Sequence, residues 1–305
     1  MKDKTLRTYL IWAFGLAWPL QLLASRLALR GNMTGFTYVL AISMFAPLAA
    51  LLLAKVPLKS LGWKLNLRGK VLWYLAAWFL PSVICVLGAA LYYLLFPAHF
   101  DGTGAAYLAS LPAEAQQQLA AQGLPTPLLL LLSALAAVTY APLINIIPCL
   151  GEEAGWRGFL TPYLKARCGR TKGLLLAGLI WGVWHWPVMI LAGYNYGTQY
   201  WGAPVTGPLL FCLVTFCLGV LFDWLYEKTR CIWIPALAHG AFNAVAGLPS
   251  LFLSVEAAPS ALSGSASIDT APSTLLGPTM IGLIAGLPMF LLAFLLWRKS
   301  DAQAA

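Results

Sequence analysis

Charge is what this 305-residue sequence has least of: Asp, Glu, Lys and Arg together make up 10% of it. Soluble globular proteins carry about 25%. So small a charged fraction cannot coat a water-facing surface, and a soluble globule is excluded. Disorder is excluded as well, because disordered chains combine low hydrophobicity with high charge, whereas 60% of these residues are hydrophobic and 13 are Trp. Catalytic signatures are also missing. The sequence has no Cys-x-x-Cys, no His-Glu-x-x-His, and no Gly-x-Ser-x-Gly at membrane depth. Serine and cysteine nucleophiles are therefore unsupported.

What is present is a series of long charge-free runs, at 8–25, 31–54, 71–100, 115–151, 173–222, 231–255 and 270–297. A membrane-spanning helix needs about 20 mostly apolar residues. The run 173–222 is long enough for two, interrupted by Gly193, Asn195, Gly197, Gly202, Pro204, Gly207 and Pro208, which read as a loop. The sequence predicts an all-α, polytopic membrane helical bundle forming a single transmembrane domain over 1–305. About eight spans are expected, at 8–27, 36–55, 71–96, 127–150, 173–192, 208–226, 231–252 and 276–297. The runs lack the alternating polarity of a membrane β-barrel. Lys2, Lys4 and Arg7 ahead of the first apolar run would also suit a signal peptide. A retained helix is preferred because an even number of spans gives a consistent topology.

Loops rich in Lys and Arg face the cytoplasm. With the N-terminus inside, the cytoplasmic segments carry 17 basic residues, and Arg26 and Arg30 lie outside. Both termini are therefore expected in the cytoplasm. The net charge of +9 reads as membrane topology, and no basic patch with interleaved aromatics indicates nucleic acid. Among the outer loops, 97–126 contains Ala113–Leu119, read as a short surface helix, and 253–275 is rich in Ser, Ala and Pro and read as mobile. The six cysteines read as small apolar residues in packed helices.

Ionisable groups at membrane depth are costly and mark function by default. Of the ten acidic residues, most fall in loops or termini. Asp223 and Glu227 read as interfacial, beside Lys228 and Arg230. Glu152 and Glu153 remain, in Gly151-Glu152-Glu153-Ala154-Gly155-Trp156-Arg157. On a helix Glu153 and Arg157 share a face and can pair, while Glu152 points elsewhere, without a local partner, as a candidate general base. His185 and His239 lie in apolar helices, with Asn243 one turn beyond His239. Counted in residues from the basic loops, Glu152, His185 and His239 fall in one layer, expected toward the cytoplasmic half. A carboxylate, two imidazoles and an amide can activate water and stabilise an oxyanion. Two His and a Glu can equally hold zinc with a water.

Together, Glu-Glu-x-x-x-Arg at 152–157, aromatic-x-x-x-His at 181–185 and His-x-x-x-Asn at 239–243 resemble the CPBP family, the intramembrane endopeptidases related to the type II CAAX prenyl endopeptidase. The resemblance implies that Glu152 and His185 activate the hydrolytic water, that His239 and Asn243 stabilise the oxyanion, and that Glu153 and Arg157 support them. It leaves two mechanisms, a glutamate-dependent one without metal, which is favoured, and a zinc-dependent one with Glu152, His185 and His239 as ligands. The family's second motif usually has Phe four residues before the His, where this sequence has Trp181. An aromatic ring is kept, so the change is read as tolerated, bearing on substrate size more than on activity. The pairs Gly151/Gly155 and Gly178/Gly182 read as close helix packing.

The expected function is an integral multi-pass endopeptidase of the bacterial cell membrane, its site toward the cytoplasm, cleaving a membrane-associated peptide or a prenylated protein. A non-catalytic membrane protein of the bacteriocin-immunity type is the alternative. A transporter is less favoured because no inverted repeat is visible.

Overall fold

The computed structural model describes residues 3–111, 113–121, 123–255, 257 and 272–301. Among these the chain forms fifteen α-helices and no strand, apart from one isolated antiparallel bridge between Phe100 and Leu253. In order they are α1 (Asp3–Leu29), α2 (Met33–Ser43), α3 (Ala46–Leu53), α4 (Val71–Leu95), α5 (Ala105–Ser110), α6 (Ala113–Ala121), α7 (Thr126–Val138) and α8 (Ala141–Gly155), then α9 (Thr161–Cys168), α10 (Arg170–Trp184), α11 (Trp186–Ala192), α12 (Thr206–Thr229), α13 (Trp233–Val245), α14 (Pro272–Leu276) and α15 (Leu287–Asp301). The expected surface helix near Ala113–Leu119 corresponds to α6. Residues 258–271, most of the segment read as a mobile loop, lie outside the described residues.

Among the described residues five segments are long and apolar enough to cross a membrane: α1, α2 with α3, α4, α10 with α11, and α12. A sixth arises if α6 and α7, bent by 103° to one another, act as one span. A count of eight does not follow from the structure. The predicted span 127–150 is divided between α7 and α8, just ahead of Pro142, which has no N–H to continue a helix. The predicted span 231–252 is helical only to Val245, then turns into a 3-10 segment at Leu248–Phe252 containing Pro249. The predicted span 276–297 becomes an α-helix only at Leu287, after a stretch holding Gly277, Pro278, Gly282 and Gly286.

The bundle is built around α12, whose side chains are buried along most of its length, and around α13, which packs on α8 and α4. Small residues permit these approaches. A Cβ added at Gly178 would come within 2.5 Å of the Phe216 backbone, and one at Gly151 within 2.7 Å of the Met44 carbonyl oxygen. Helix α1 is stitched to the bundle by two long-range bonds. Gln21 Nε2 donates to the Trp184 carbonyl at 2.9 Å, and Trp184 Nε1 donates to the Ala13 carbonyl at 3.1 Å.

One end of the bundle is tied by an ion-pair network. Lys165 Nζ reaches both Asp223 oxygens, at 2.7 and 2.6 Å, and Glu227 at 2.6 Å, while Arg170 Nη1 reaches Glu227 at 3.0 Å. Asp223 is thus buried and paired with Lys165 of α9, not with the nearby Lys228 or Arg230. The six cysteines are free thiols, all buried except the half-buried Cys168.

Candidate functional site

Three local irregularities in the helices position the site. After α8 the chain widens into a π-turn over Trp156–Leu160, a feature common at functional sites. Pro162 follows, and its missing N–H and bulky ring disfavour an ordinary α-turn there. Between α10 and α11 the helix breaks at His185, two residues ahead of Pro187. The His185 N–H turns to the Gly182 carbonyl at 3.0 Å, which releases the Trp181 carbonyl to meet His185 Nδ1 at 2.9 Å. A carbonyl can only accept, so Nδ1 carries the proton and Nε2 is the atom left for chemistry. Between α2 and α3 the chain turns at Met44 and Phe45. Met44 and the face of α2 thereby line the cavity described below.

The two adjacent glutamates are held differently. Glu153 is fully buried, and its Oε1 accepts from Arg157 Nη1 at 3.1 Å and from His239 Nδ1 at 2.9 Å. The Arg157 guanidinium lies over the Trp181 ring, 4.1 Å from its centroid, with Phe222 at 5.1 Å. Aromatic faces therefore meet the guanidinium where Nε and Nη2 lack acceptors. Arg157 was counted with the basic loops but is 1% exposed inside the bundle, which leaves 16 loop cations against two.

Glu152 is not without a local partner. Its Oε2 accepts two indole N–H bonds, from Trp156 at 3.0 Å and from Trp181 at 2.7 Å. Its Oε1 has no hydrogen-bond partner among the described residues. Trp156 was missed in the sequence because an aromatic in an apolar helix reads as packing. The available signal was its spacing, four residues after Glu152, the same i, i+4 relation that pairs Glu153 with Arg157. Trp181 was read only as a ring. The indole N–H that a Phe lacks is what reaches the carboxylate.

A cavity of about 380 Å³ collects these groups. Glu152, Trp181, His185, His239 and Asn243 all line it, whereas Glu153 and Arg157 stand behind its wall. His239 is stacked on Phe222 and meets Trp181 edge-on, and His185 is wedged edge-on against Trp184 and Phe211. The His rings are thus fixed by packing as well as by hydrogen bonds. Asn243 Nδ2 lies 3.5 Å from Cys149 Sγ, a contact the sequence did not indicate. His99, read as incidental, pairs with Tyr92 at 2.8 Å, away from this cavity.

Among the described residues no three His, Cys, Asp or Glu side chains come together as a set that could hold a metal ion. Of the Glu152 oxygens, Oε2 is taken by two indoles.

The polar groups sit where three hydrophobic helices meet, and comparison with known proteins points the same way. Residues 127–245, which contain Glu152, Glu153, Arg157, Trp181, His185, His239 and Asn243, match the family described as type II CAAX prenyl endopeptidase Rce1-like. Over 79 residues the chain is 30% identical to a protein of Methanococcus maripaludis named CAAX prenyl protease 2. That match covers 26% of this chain and 29% of the relative's length.

Proposed function

We propose that this integral membrane protein, whose residues 127–245 match the Rce1-like family, is an intramembrane endopeptidase of the glutamate-dependent type. The observation that carries the reading is the shared cavity of Glu152, His185, His239 and Asn243. In it a carboxylate with one oxygen pinned and one unbonded faces two imidazoles and an amide. Glu152 Oε1 and His185 Nε2 accept the protons of a water and direct its lone pair at a peptide carbonyl. As the tetrahedral oxyanion forms, His239 and Asn243 donate to it from fixed positions. Glu153 accepts from His239 Nδ1 and so orients the ring. An imidazolium at His239 would leave the buried set Glu152, Glu153, Arg157 and His239 with no net charge, a favourable arrangement in a low-dielectric interior. The proton taken from the water then passes to the leaving amine. The substrate is a membrane-associated peptide. A prenylated C-terminus, the substrate class in the relative's name, is the model for it.

The test is cleavage of a fluorogenic peptide by purified protein in lipid vesicles. Glu152→Gln and His185→Ala abolish turnover while near-native thermal unfolding persists. Wild-type turnover by either variant refutes the assignment, and full biological activity of Glu152→Ala would favour a non-catalytic role.

A further inference from the structure

Helix α1 lies outside the matched residues 127–245 and lends no residue to the cavity lining. Its buried face nevertheless holds Tyr9 and Gln21, which the chemistry of the cavity does not use. A side-chain amide within a membrane-spanning helix is costly unless it finds a partner. Gln21 is fully buried, and its Nε2 donates to the Trp184 carbonyl at 2.9 Å. That carbonyl closes α10, where the last four carbonyls have no partner within the helix. Trp184 Nε1 in turn donates to the Ala13 carbonyl at 3.1 Å. Both the backbone and the ring of Trp184 are therefore fastened to α1.

From Trp184 the contacts run to both water-activating groups. Its ring meets His185 edge-on at 4.7 Å and 80°, and Trp156 edge-on at 6.0 Å and 79°. Tyr9 meets the same Trp156 ring at 6.2 Å and 87°. These are the separations and angles of favourable edge-to-face pairs. Tyr9 is itself fully buried, 4.9 Å from the Phe159 ring. Its Oη occupies the space beside Gly155, where a Cβ would come within 2.6 Å of it. Gly155 thus admits Tyr9, and the hydroxyl makes no hydrogen bond among the described residues, so the ring is what holds. Trp156 is the indole that donates to Glu152 Oε2. With Tyr9 and Trp184 both packed on it, that indole cannot swing off the carboxylate without displacing one of them. We propose that Tyr9 and Gln21 are positioning residues for hydrolysis. Tyr9 keeps the Trp156 N–H on Glu152, and Gln21 keeps Trp184 seated against Trp156 and His185. This rests on the glutamate-dependent reading of the cavity, and adds to it a brace from a helix that touches neither substrate nor water.

The test reads the indole as well as turnover. Full-length protein with isotope-labelled tryptophan is placed in lipid nanodiscs, and deuterium exchange at the Trp156 Nε1–H is followed by NMR, its signal identified by its loss in Trp156→Phe. In Tyr9→Leu this N–H is expected to exchange at least tenfold faster, and kcat to fall about fivefold with KM unchanged. Tyr9→Phe, which keeps the ring, restores both. In a Trp156→Phe background Tyr9→Leu costs less than twofold in kcat, because the donor it acts through is already gone. An equal loss of kcat in both backgrounds, or wild-type exchange and kcat in Tyr9→Leu, overturns the proposal. Gln21→Met is measured beside it, so the answer does not hang on whether Tyr9→Leu folds. It keeps the side-chain length and loses the bond to Trp184, so the Trp184 N–H should exchange at least threefold faster and kcat fall at least threefold; no change in either overturns the proposal. Exchange that responds as expected in a protein that cleaves no peptide refutes the protease and leaves the brace standing. Cleavage indifferent to both variants refutes the brace and leaves the protease standing.

Discussion

Trp181 donates its indole N–H to Glu152 Oε2 at 2.7 Å, across from one helix to another. With Trp156 on the same oxygen, it fixes the plane of the carboxylate and thereby aims Oε1. An aromatic at position 181 thus acts as a hydrogen-bond donor, and its ring also forms the surface on which the Arg157 guanidinium rests.

Replacing that donor tests the geometry. Trp181→Phe keeps a ring over Arg157 and removes the N–H. A hydrogen bond to a charged group contributes about 1.5–3 kcal/mol, so kcat is expected to fall roughly 10- to 100-fold with little change in KM. Trp156→Phe, which loses a 3.0 Å bond, should cost less. Steady-state kinetics on vesicle-embedded protein decide this, and an unchanged kcat in Trp181→Phe would show that the indole only packs.

The neighbouring glutamates should fail in different ways. Glu152→Gln loses turnover and keeps its unfolding temperature. Glu153→Gln leaves Arg157 buried without its carboxylate, a change that costs about 3–5 kcal/mol in buried pairs. Its unfolding midpoint should drop well below that of Glu152→Gln in the same detergent.

Cleavage should survive excess chelator, because no catalytic step is assigned to a metal. Wild-type protein is incubated with 1,10-phenanthroline and assayed beside an untreated control, with metal content read by mass spectrometry. Loss of activity restored by added zinc would overturn the glutamate mechanism.

Asp223→Asn separates scaffold from site. It weakens the Lys165 network that joins α9 to α12 and touches none of the cavity lining. Lower thermal stability with kcat unchanged is expected from differential scanning fluorimetry and the peptide assay. Loss of kcat at full stability would contradict that division.

The candidate site residues, which share one cavity, were legible because polar groups are so scarce. Once the positive-inside count and the loops were set aside, Glu152, Glu153, His185, His239 and Asn243 were nearly all that remained. Trp156 and the donor role of Trp181 were hidden because an indole in an apolar helix is indistinguishable from packing until its partner is located. The partners of Asp223 could not be read either, since Lys165 is 58 residues away in the chain and the nearby cations Lys228 and Arg230 offered a local decoy. Hydropathy overstated the helices near Pro142, Pro249 and Pro278, where apolar residues continue but the backbone hydrogen bonds do not.

The Glu153–Arg157 pair lies within a single turn, which matters before the protein has folded. A lone charge at the centre of a nascent transmembrane helix costs about 2.5–3.5 kcal/mol at insertion. These two can neutralise each other as soon as the turn closes, so the segment carries its own counter-ion. Glu152 has no such companion of opposite charge, and its second indole arrives only when α10 docks. The Glu153–Arg157 pair is therefore a local feature of one helix turn, whereas the surroundings of Glu152 are complete only once α8 and α10 are packed together.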